Sequence, residues 1–142
     1  MPNTFIQKFT DKHLMIPDKM DINISQHFVE LHQFIKEGTI EKHKVLVHCE
    51  AGISRSSTVL IFYLMKEHSL NLKDAYIHVR SKKENIRPNQ SFFQQLINYE
   101  KSLFNTHSYS VMEYLIDQLL TGVLLVFQKM PFRMSLKKQI WI

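Results

Sequence analysis

A chain of 142 residues is the length of one ordinary domain, and a composition of 44% hydrophobic and 22% charged residues is typical of a folded protein. The net charge of +5 favours anionic partners, although charge alone does not choose between phosphoproteins, nucleic acid and an acidic membrane surface. The single cysteine excludes an intramolecular disulfide, and therefore a secreted scaffold held together by disulfides. Because the first residues also lack the pattern of a signal peptide, we expect a cytoplasmic or nuclear protein.

The first part of the chain predicts a short strand and a helix. Residues 13–16 are mainly apolar and precede a proline, which favours a short strand. Ser25 has the side chain of a helix N-cap. Apolar residues then recur at helical spacing, and Gly38 is a natural point for the helix to end. These apolar residues are Phe28, Leu31 and Ile35.

The middle of the chain alternates between strand and helix patterns. Residues 44–48 are rich in apolar and β-branched side chains, which predicts a strand buried on both faces. A loop at residues 49–54 follows, and a mostly buried helix is predicted from Arg55 to about His68. This alternation predicts an α/β domain.

Two further helices are predicted before residue 105. The first ends before Pro88, and its apolar residues are Leu72, Ala75, Tyr76 and Val79. Asn89 is a candidate N-cap for the second helix. The apolar residues of that second helix are Phe92, Phe93, Leu96, Ile97 and Leu103.

The chain changes character after residue 104. A polar break at residues 105–108 precedes an apolar stretch at residues 119–127, and four basic residues follow with no acidic residue among them. The apolar stretch is far shorter than the ~20 residues that a membrane span needs. It suits either a core helix or a helix that lies on a membrane surface. The basic residues are Lys129, Arg133, Lys137 and Lys138.

Residues 48–57 carry the chemistry of the sequence. Cys49 follows the predicted strand, and Arg55 lies six residues later at the start of a predicted helix. The loop amides can point at anionic oxygens, the helix dipole adds to this attraction, and Gly52 permits a backbone shape that other residues resist. The guanidinium group can hold two phosphate oxygens, and the same surroundings favour a thiolate. We therefore predict a phosphate-binding loop with a nucleophile, and the alternative is a buried structural thiol beside a surface arginine.

This segment resembles the His-Cys-x-x-Gly-x-x-Arg-Ser signature of the dual-specificity branch of the cysteine-based protein tyrosine phosphatases, in the form found in MAP-kinase phosphatases and small atypical members. The resemblance covers residues 14–104 and implies an α/β fold with a central sheet flanked by helices. It also implies that no metal or other cofactor is required. A second block is similar to the family's downstream helices and contains Tyr63, Leu64, Met65, Ala75, Val79, Arg80, Arg87, Pro88, Asn89, Phe92, Gln95 and Leu96.

The resemblance implies a role for each residue of the signature. Cys49 attacks phosphorus and forms a phosphocysteine, while Arg55 and the loop amides hold the phosphoryl oxygens. Ser56 donates a hydrogen bond to the departing thiolate, and His48 helps to set the loop and the pKa of the thiol. The phosphate-binding loop residues are Glu50, Ala51, Gly52, Ile53, Ser54 and Arg55.

Two carboxylates compete for the role of general acid. The family places this aspartate after a short strand and several residues before a helix that starts with an apolar residue and serine, which matches Asp18 better than Asp21. Asp18 would protonate the leaving group and then deprotonate the attacking water. The resemblance also implies that Asn89 supports the loop, although the role of a helix N-cap explains this residue equally well.

The chain departs from the family at its N-terminus. Only 17 residues precede Asp18, so we expect the usual N-terminal strands to be missing from the sheet. We therefore divide the chain into a partial catalytic domain at residues 1–104 and an unrelated apolar and basic tail at residues 105–142. The apolar surface left by the missing strands invites aggregation or a partner, unless the apolar part of the tail folds over the gap.

The resulting hypothesis is a dual-specificity protein phosphatase that acts on phosphotyrosine and on phosphoserine or phosphothreonine. Its expected partner is a phosphoprotein, a protein kinase being one candidate, and nucleic acid is not expected as a partner. The alternative from another class is a catalytically impaired phosphatase-like module that binds phosphoproteins. A non-protein phosphate ester, such as an RNA 5′-phosphate or a phosphoinositide, and a membrane-surface role of the tail are further alternatives. The sequence does not indicate an oligomeric state.

Overall fold

The computed structural model describes residues 10–41 and 43–127, with side chains described up to residue 121. These residues contain one 3-10 turn and five α-helices, and within them only His48 takes part in an isolated β-bridge. The turn is Ile24–His27, and the helices are α1 Phe28–Ile40, α2 Arg55–His68, α3 Leu72–Lys82, α4 Gln90–Phe104 and α5 Val111–Phe127.

Helix α1 buries the three apolar residues that its sequence pattern predicts, Phe28, Leu31 and Ile35. The prediction that it ends at Gly38 is wrong, because the helix continues to Ile40. A Cβ atom at Gly38 would lie 2.5 Å from the Cγ2 atom of Val45. This glycine therefore allows the returning chain to approach the helix closely, and it does not act as a stop signal.

The prediction of Ser25 as an N-cap is also wrong. Ser25 lies inside the 3-10 turn, which follows Asn23. Its hydroxyl donates to the Asn23 side chain at 2.6 Å, and its backbone N–H donates to the Gln95 side chain at 3.0 Å. This long-range bond to α4 uses the backbone group that a helix start would otherwise leave without a partner.

The two predicted strands do not form within the described residues. Residues 13–16 have no regular secondary structure, the Ile16 amide donates to the Leu14 carbonyl at 3.1 Å, and only Ile16 among them is buried. Residues 44–48 form no strand apart from the bridge at His48, and residues 45–48 are half-buried instead of buried on both faces. An apolar, β-branched segment becomes a strand only when another strand pairs with its backbone, and composition does not supply that neighbour.

Helix α2 is the centre of the fold and packs against α1, α3 and α4. Its boundaries agree with the prediction, and most of its residues are buried. The ring of Phe62 on α2 stacks on Phe28 of α1 at a centroid distance of 4.1 Å and meets Tyr99 of α4 edge-on at 5.0 Å. Such aromatic pairs bury large apolar areas, so they fix the position of α2 and of the loop that precedes it.

Helices α3 and α4 also agree with their predictions, and side chains cap both of them. Asn71 accepts a hydrogen bond from the Asp74 amide at 2.8 Å, and Asn89 accepts one from the Phe92 amide at 2.8 Å. Phe92, Phe93, Leu96 and Ile97 are buried, whereas Leu103 is only partly buried against the core.

Helix α5 packs on α4 through aromatic rings. Tyr114 stacks on Phe93 with a centroid distance of 3.7 Å and an interplanar angle of 6°, and the rings of Tyr76 and Tyr109 each meet both members of this pair edge-on. Tyr109 and Tyr114 therefore belong to the same hydrophobic core as the preceding helices. None of the helices within the described ranges combines the length and the apolarity that crossing a bilayer requires.

The opposite side of α5 presents apolar side chains to solvent. Leu119 is 70% exposed and Leu120 is 57% exposed. The alternative that residues 119–127 fold over a gap in the domain is therefore wrong for these two leucines. The side chains of residues 122–127 lie outside the described part of the chain.

Candidate active site

The loop before α2 is held in shape by hydrogen bonds to its own carbonyl groups. Gly52 has a φ angle of +65°, in the left-handed region that favours glycine. The carbonyl of Ile53 accepts from the Ser57 hydroxyl at 2.6 Å and from the Arg87 amide at 2.8 Å. The carbonyl of Ser54 accepts from the hydroxyls of Ser57 and Thr58. With these carbonyls directed away from the loop centre, the loop amides remain available for an anion.

Cys49 lies at the base of this loop and is only 6% exposed. Its Sγ atom is 3.3 Å from the hydroxyl oxygen of Ser56. Burial raises the pKa of the thiol, but hydrogen bonds from the Ser56 hydroxyl and from the amides of Ser56, Gly52 and Ile53 outweigh this effect. The pKa of Cys49 is therefore lowered from its ordinary value, and the loop favours the thiolate.

Arg55 is the first residue of α2, and two of its guanidinium nitrogens contact other residues. Its Nη1 atom donates to the carbonyl of Ile16 at 3.0 Å, and its Nη2 atom lies 3.6 Å from a carboxylate oxygen of the exposed Glu50. Its Nε atom is buried and has no hydrogen-bond partner within the described ranges. A buried donor without an acceptor is costly, and an oxyanion in the loop would supply the acceptor.

His48 precedes the cysteine and is half-buried. Burial lowers the pKa of its imidazole, and a hydrogen bond with the Cys49 backbone opposes this effect only in part. The side chain is therefore neutral at neutral pH.

Asp18 contacts the loop, whereas Asp21 does not. The Oδ1 atom of Asp18 accepts from the Ser54 hydroxyl at 2.8 Å and from the Asn89 side-chain amide at 2.8 Å. Its Oδ2 atom has no hydrogen-bond partner among the residues that the structure describes. Asp21 is exposed and likewise has no such partner there. The contacts therefore favour Asp18 over Asp21 as the carboxyl group that serves this loop.

Asn89 has contacts that suit both of the roles that its sequence position left open. Its Oδ1 atom caps α4, and its Nδ2 atom donates to Asp18. Its backbone N–H also donates to the hydroxyl of Ser54 at 2.9 Å. One residue therefore joins the start of α4, the phosphate-binding loop and the candidate acid.

Of the basic residues at the end of α3 and after it, Lys83 lies on the loop. The Nζ atom of Lys83 lies against Gly52, where an added Cβ atom would collide with it. The side chains of Lys82 and Arg87 are exposed, although the Arg87 backbone anchors Ile53. Lys83 places a cation beside the candidate phosphate site, which favours anionic ligands.

A cavity of about 350 Å³ opens beside the loop and is bounded by α5 on its far side. Its wall includes Asp18, Ile53 and Ser54 from the site, and Tyr114 and Gln118 from α5. Cys49 does not line it, so this space borders the side of the loop formed by Ile53 and Ser54 and does not include the thiol. In the described ranges, no group of histidine, cysteine and carboxylate side chains has the arrangement of a metal site.

Sequence reasoning did not identify three of these contacts. The Ser54 hydroxyl links Asp18 to Asn89, the Ile16 carbonyl orients Arg55, and Tyr114 reaches the site from α5. The first two join residues 36 and 39 positions apart, and no spacing rule covers such pairs. A tyrosine near the start of an apolar tail gives no local signal of a tertiary contact.

Comparison with known proteins identifies relatives of this arrangement. The family described as "Dual specificity phosphatase, catalytic domain" matches residues 2–102, which end before α5. The chain is 48% identical to human dual specificity protein phosphatase 7 over 105 residues, which cover 72% of this chain and 25% of that protein. It is 46% identical to MAP kinase phosphatase with leucine-rich repeats protein 3 from Dictyostelium discoideum over 101 residues, or 69% of this chain and 12% of that protein.

Solved structures agree with the sequence comparison. The crystal structure of DUSP15 superposes with a TM-score of 0.66 and 30% identity, covering 70% of this chain and 64% of that one. This similarity shows that the helices and the loop have the arrangement of a phosphatase fold, although a central sheet is not seen in the described residues. The chain spans about a quarter of the length of the human relative named above. The chain belongs to the dual specificity phosphatase catalytic domain family.

Proposed function

We propose that this chain hydrolyses phosphate monoesters on phosphotyrosine and on phosphoserine or phosphothreonine through a phosphocysteine intermediate. The observation that carries the proposal is the geometry around Cys49, whose thiolate is favoured by hydrogen bonds from Ser56 and the loop amides. The buried Nε atom of Arg55 lacks an acceptor among the described residues, which supports the binding of an oxyanion in the same loop.

In the first step, the Cys49 thiolate attacks phosphorus in line with the leaving oxygen. A sulfur–phosphorus bond forms while the bond between phosphorus and the leaving oxygen breaks. Arg55 and the amides of the loop, residues 50–55, stabilise the charge on the three remaining phosphoryl oxygens. Asp18, in its protonated form, gives its proton to the leaving alcohol or phenol.

In the second step, water displaces the sulfur. The ionised Asp18 takes a proton from the attacking water, an oxygen–phosphorus bond forms, and the sulfur–phosphorus bond breaks. The hydroxyl of Ser56, 3.3 Å from Sγ, donates to the departing thiolate. Inorganic phosphate leaves, and the thiolate and the protonated acid are restored.

The proposed substrate is a phosphoprotein, and a protein kinase is a specific candidate. The name of the Dictyostelium relative, a MAP kinase phosphatase, supports a kinase substrate. The cation of Lys83 beside Gly52 supports an anionic substrate in general. A cytoplasmic or nuclear location and a central sheet like that of the family are part of the same proposal.

The test is phosphate release by the 142-residue protein from an aryl phosphate and from phosphotyrosine and phosphothreonine peptides. We expect turnover that vanadate inhibits and that Cys49→Ser abolishes. Asp18→Asn should lower turnover of the peptides about 100-fold, because their leaving groups need a proton. Asp21→Asn is the matched control, because that aspartate does not contact the loop, and it should retain the activity.

The alternative of a phosphoprotein-binding module makes a different prediction for the same samples. It predicts no phosphate release by a protein that melts cooperatively and still binds a phosphopeptide. Equal losses in Asp18→Asn and Asp21→Asn would contradict the assignment of Asp18. Turnover retained in Cys49→Ser would contradict the phosphocysteine mechanism.

A further inference from the structure

Helix α5 lies outside the residues that match the family, yet side chains fasten it to the phosphatase core. Its Tyr114 ring stacks on Phe93, and its Gln118 side chain donates to the hydroxyl of Tyr76 at 2.6 Å. Arg80 of α3 donates to Thr121. These contacts join α5 to residues of α3 and α4, so α5 has a defined position on the core.

One α5 contact reaches the segment between Arg87 and α4. The hydroxyl of Tyr114 donates to the carbonyl of Pro88 at 2.5 Å, and both residues are buried. The same peptide unit contains the N–H of Asn89, which donates to the Ser54 hydroxyl at 2.9 Å. Because a peptide group is planar and rigid, these two hydrogen bonds fix the Pro88–Asn89 peptide group from opposite sides.

Further hydrogen bonds connect this peptide group to the candidate acid. The Ser54 hydroxyl that accepts from Asn89 donates its own proton to Oδ1 of Asp18 at 2.8 Å. The side chain of Asn89 donates to the same oxygen at 2.8 Å. Every donor in this series points towards Asp18, and hydrogen bonds aligned in this way polarise and strengthen one another.

We propose that Tyr114 of α5 is a positioning residue for the general acid Asp18, acting through the Pro88–Asn89 peptide and the Ser54 hydroxyl. This inference rests on the proposed function. The hydroxyl is separate from the packing role of the ring, because the stacking on Phe93 uses only the aromatic face. Burial raises the pKa of Tyr114, so the hydroxyl remains a donor throughout the working pH range.

The geometry also explains why the acid would need this support. Asp18 lies in a stretch without regular secondary structure, and its side chain is exposed. Its two hydrogen bonds are therefore the contacts that orient its carboxyl group towards the loop. A small displacement of a catalytic group lowers the reaction rate by a large factor. The Tyr114 hydroxyl, three hydrogen bonds away from Asp18, therefore influences the reaction.

The test is Tyr114→Phe, which removes the hydroxyl and keeps the stacked ring. We expect kcat/KM to fall about tenfold with phenyl phosphate, whose leaving group needs a proton, and to change less than twofold with para-nitrophenyl phosphate, whose leaving group does not. Tyr109→Phe is the matched control, because the hydroxyl of Tyr109 donates to Asp117 and not to Pro88. It should leave both rates unchanged.

A double-mutant cycle separates positioning from a general effect on the fold. If Tyr114 acts through Asp18, then Tyr114→Phe should have no further effect on phenyl phosphate in the Asp18→Asn background. An equal loss with both substrates, or an undiminished loss in that background, would overturn the inference. Asn89→Asp offers a second variant, because it keeps the α4 cap, removes the donor to Asp18, and should show the same substrate dependence.

The outcomes also distinguish this inference from the proposed function. A wild-type protein that releases phosphate, with Tyr114→Phe indistinguishable from it, refutes the positioning role alone. A wild-type protein that folds but releases no phosphate from either ester refutes the proposed function, and the positioning role falls with it.

Discussion

The hydroxyl oxygen of Ser56 lies 3.3 Å from the sulfur of Cys49, on the first turn of the helix that follows the loop. This contact is one of the hydrogen bonds that lower the pKa of the thiol against the effect of burial. We predict that Ser56→Ala raises the pKa of Cys49. Because hydrogen bonds to charged groups contribute about 1.5–3 kcal/mol, alkylation of the thiol at pH 6 should slow by roughly tenfold or more.

The rate of iodoacetamide alkylation as a function of pH measures this change directly, since Cys49 is the only cysteine of the chain. Ser81→Ala is a suitable control, because the Ser81 hydroxyl is exposed and donates only to the His78 carbonyl. An unchanged alkylation profile in Ser56→Ala would show that the loop amides alone sustain the thiolate. In the proposed phosphatase reaction, Ser56→Ala should also accumulate the phosphocysteine, because the departing thiolate loses a donor.

Gly52 is the loop residue whose substitution should lower both the stability and the activity of the protein. Its φ angle is +65°, and a Cβ atom would also meet the amine of Lys83. We predict that Gly52→Ala lowers the free energy of unfolding by about 1 kcal/mol and lowers turnover at least tenfold, because the amides around the anion lose their alignment. Urea unfolding and phosphate release measure the two effects.

Asparagine tolerates the left-handed region better than alanine, so Gly52→Asn is the informative comparison. It should be more stable than Gly52→Ala while it still displaces Lys83. If both variants are as stable as the wild type, the backbone of the loop relaxes to another conformation and the strain argument is wrong.

Sequence patterns predicted the structural features that depend on residues close to one another in the sequence. The buried faces of α1 and α3 follow from apolar residues at helical spacing, and the candidate site follows from residues 48–56, which are contiguous. Gly38 is a counterexample, because the local rule for helix ends is overridden by the approach of Val45. The apolar segment at residues 44–48 is another, because a strand needs a partner that its own composition does not specify.

The same sequence patterns did not predict the long-range contacts. The hydrogen bond between Ser54 and Asp18 joins residues 36 positions apart, and the family resemblance, not spacing, indicated that this aspartate serves the loop. The bond from Tyr114 to Pro88 joins residues 26 positions apart and lies outside the resemblance as well. Hydropathy indicated an apolar tail after residue 104 but did not show that two of its tyrosines complete the core.

The stability of the protein should depend on pH through His48. Burial lowers the pKa of this imidazole in the folded state, whereas in the unfolded chain it has the ordinary value of about 6.5. Below about pH 6.5 the unfolded state therefore binds a proton that the folded state does not yet bind. We predict that the free energy of unfolding decreases as the pH falls from 7 towards the lowered pKa, and that it is insensitive to His48 above pH 7.

Urea unfolding at a series of pH values between 5 and 8 measures this dependence. His48→Gln should flatten the slope below pH 6.5, and His78→Gln should not, because His78 is exposed on α3. A slope that His48→Gln leaves unchanged would mean that other groups account for the loss of stability in acid.

Glu100 should be among the most sensitive positions of the fold, because it is fully buried and accepts three hydrogen bonds. Its carboxylate accepts from the Leu72 amide at 2.7 Å, and from the amide and the hydroxyl of Ser108 at 2.8 and 2.6 Å. It thereby caps the start of α3 and fastens the segment that leads into α5. We predict that Glu100→Ala lowers the free energy of unfolding by about 2–4 kcal/mol, since it leaves buried donors without acceptors. Glu84→Ala, which changes an exposed carboxylate, should alter it by less than about 0.5 kcal/mol, and equal melting curves for the two variants would contradict the buried network.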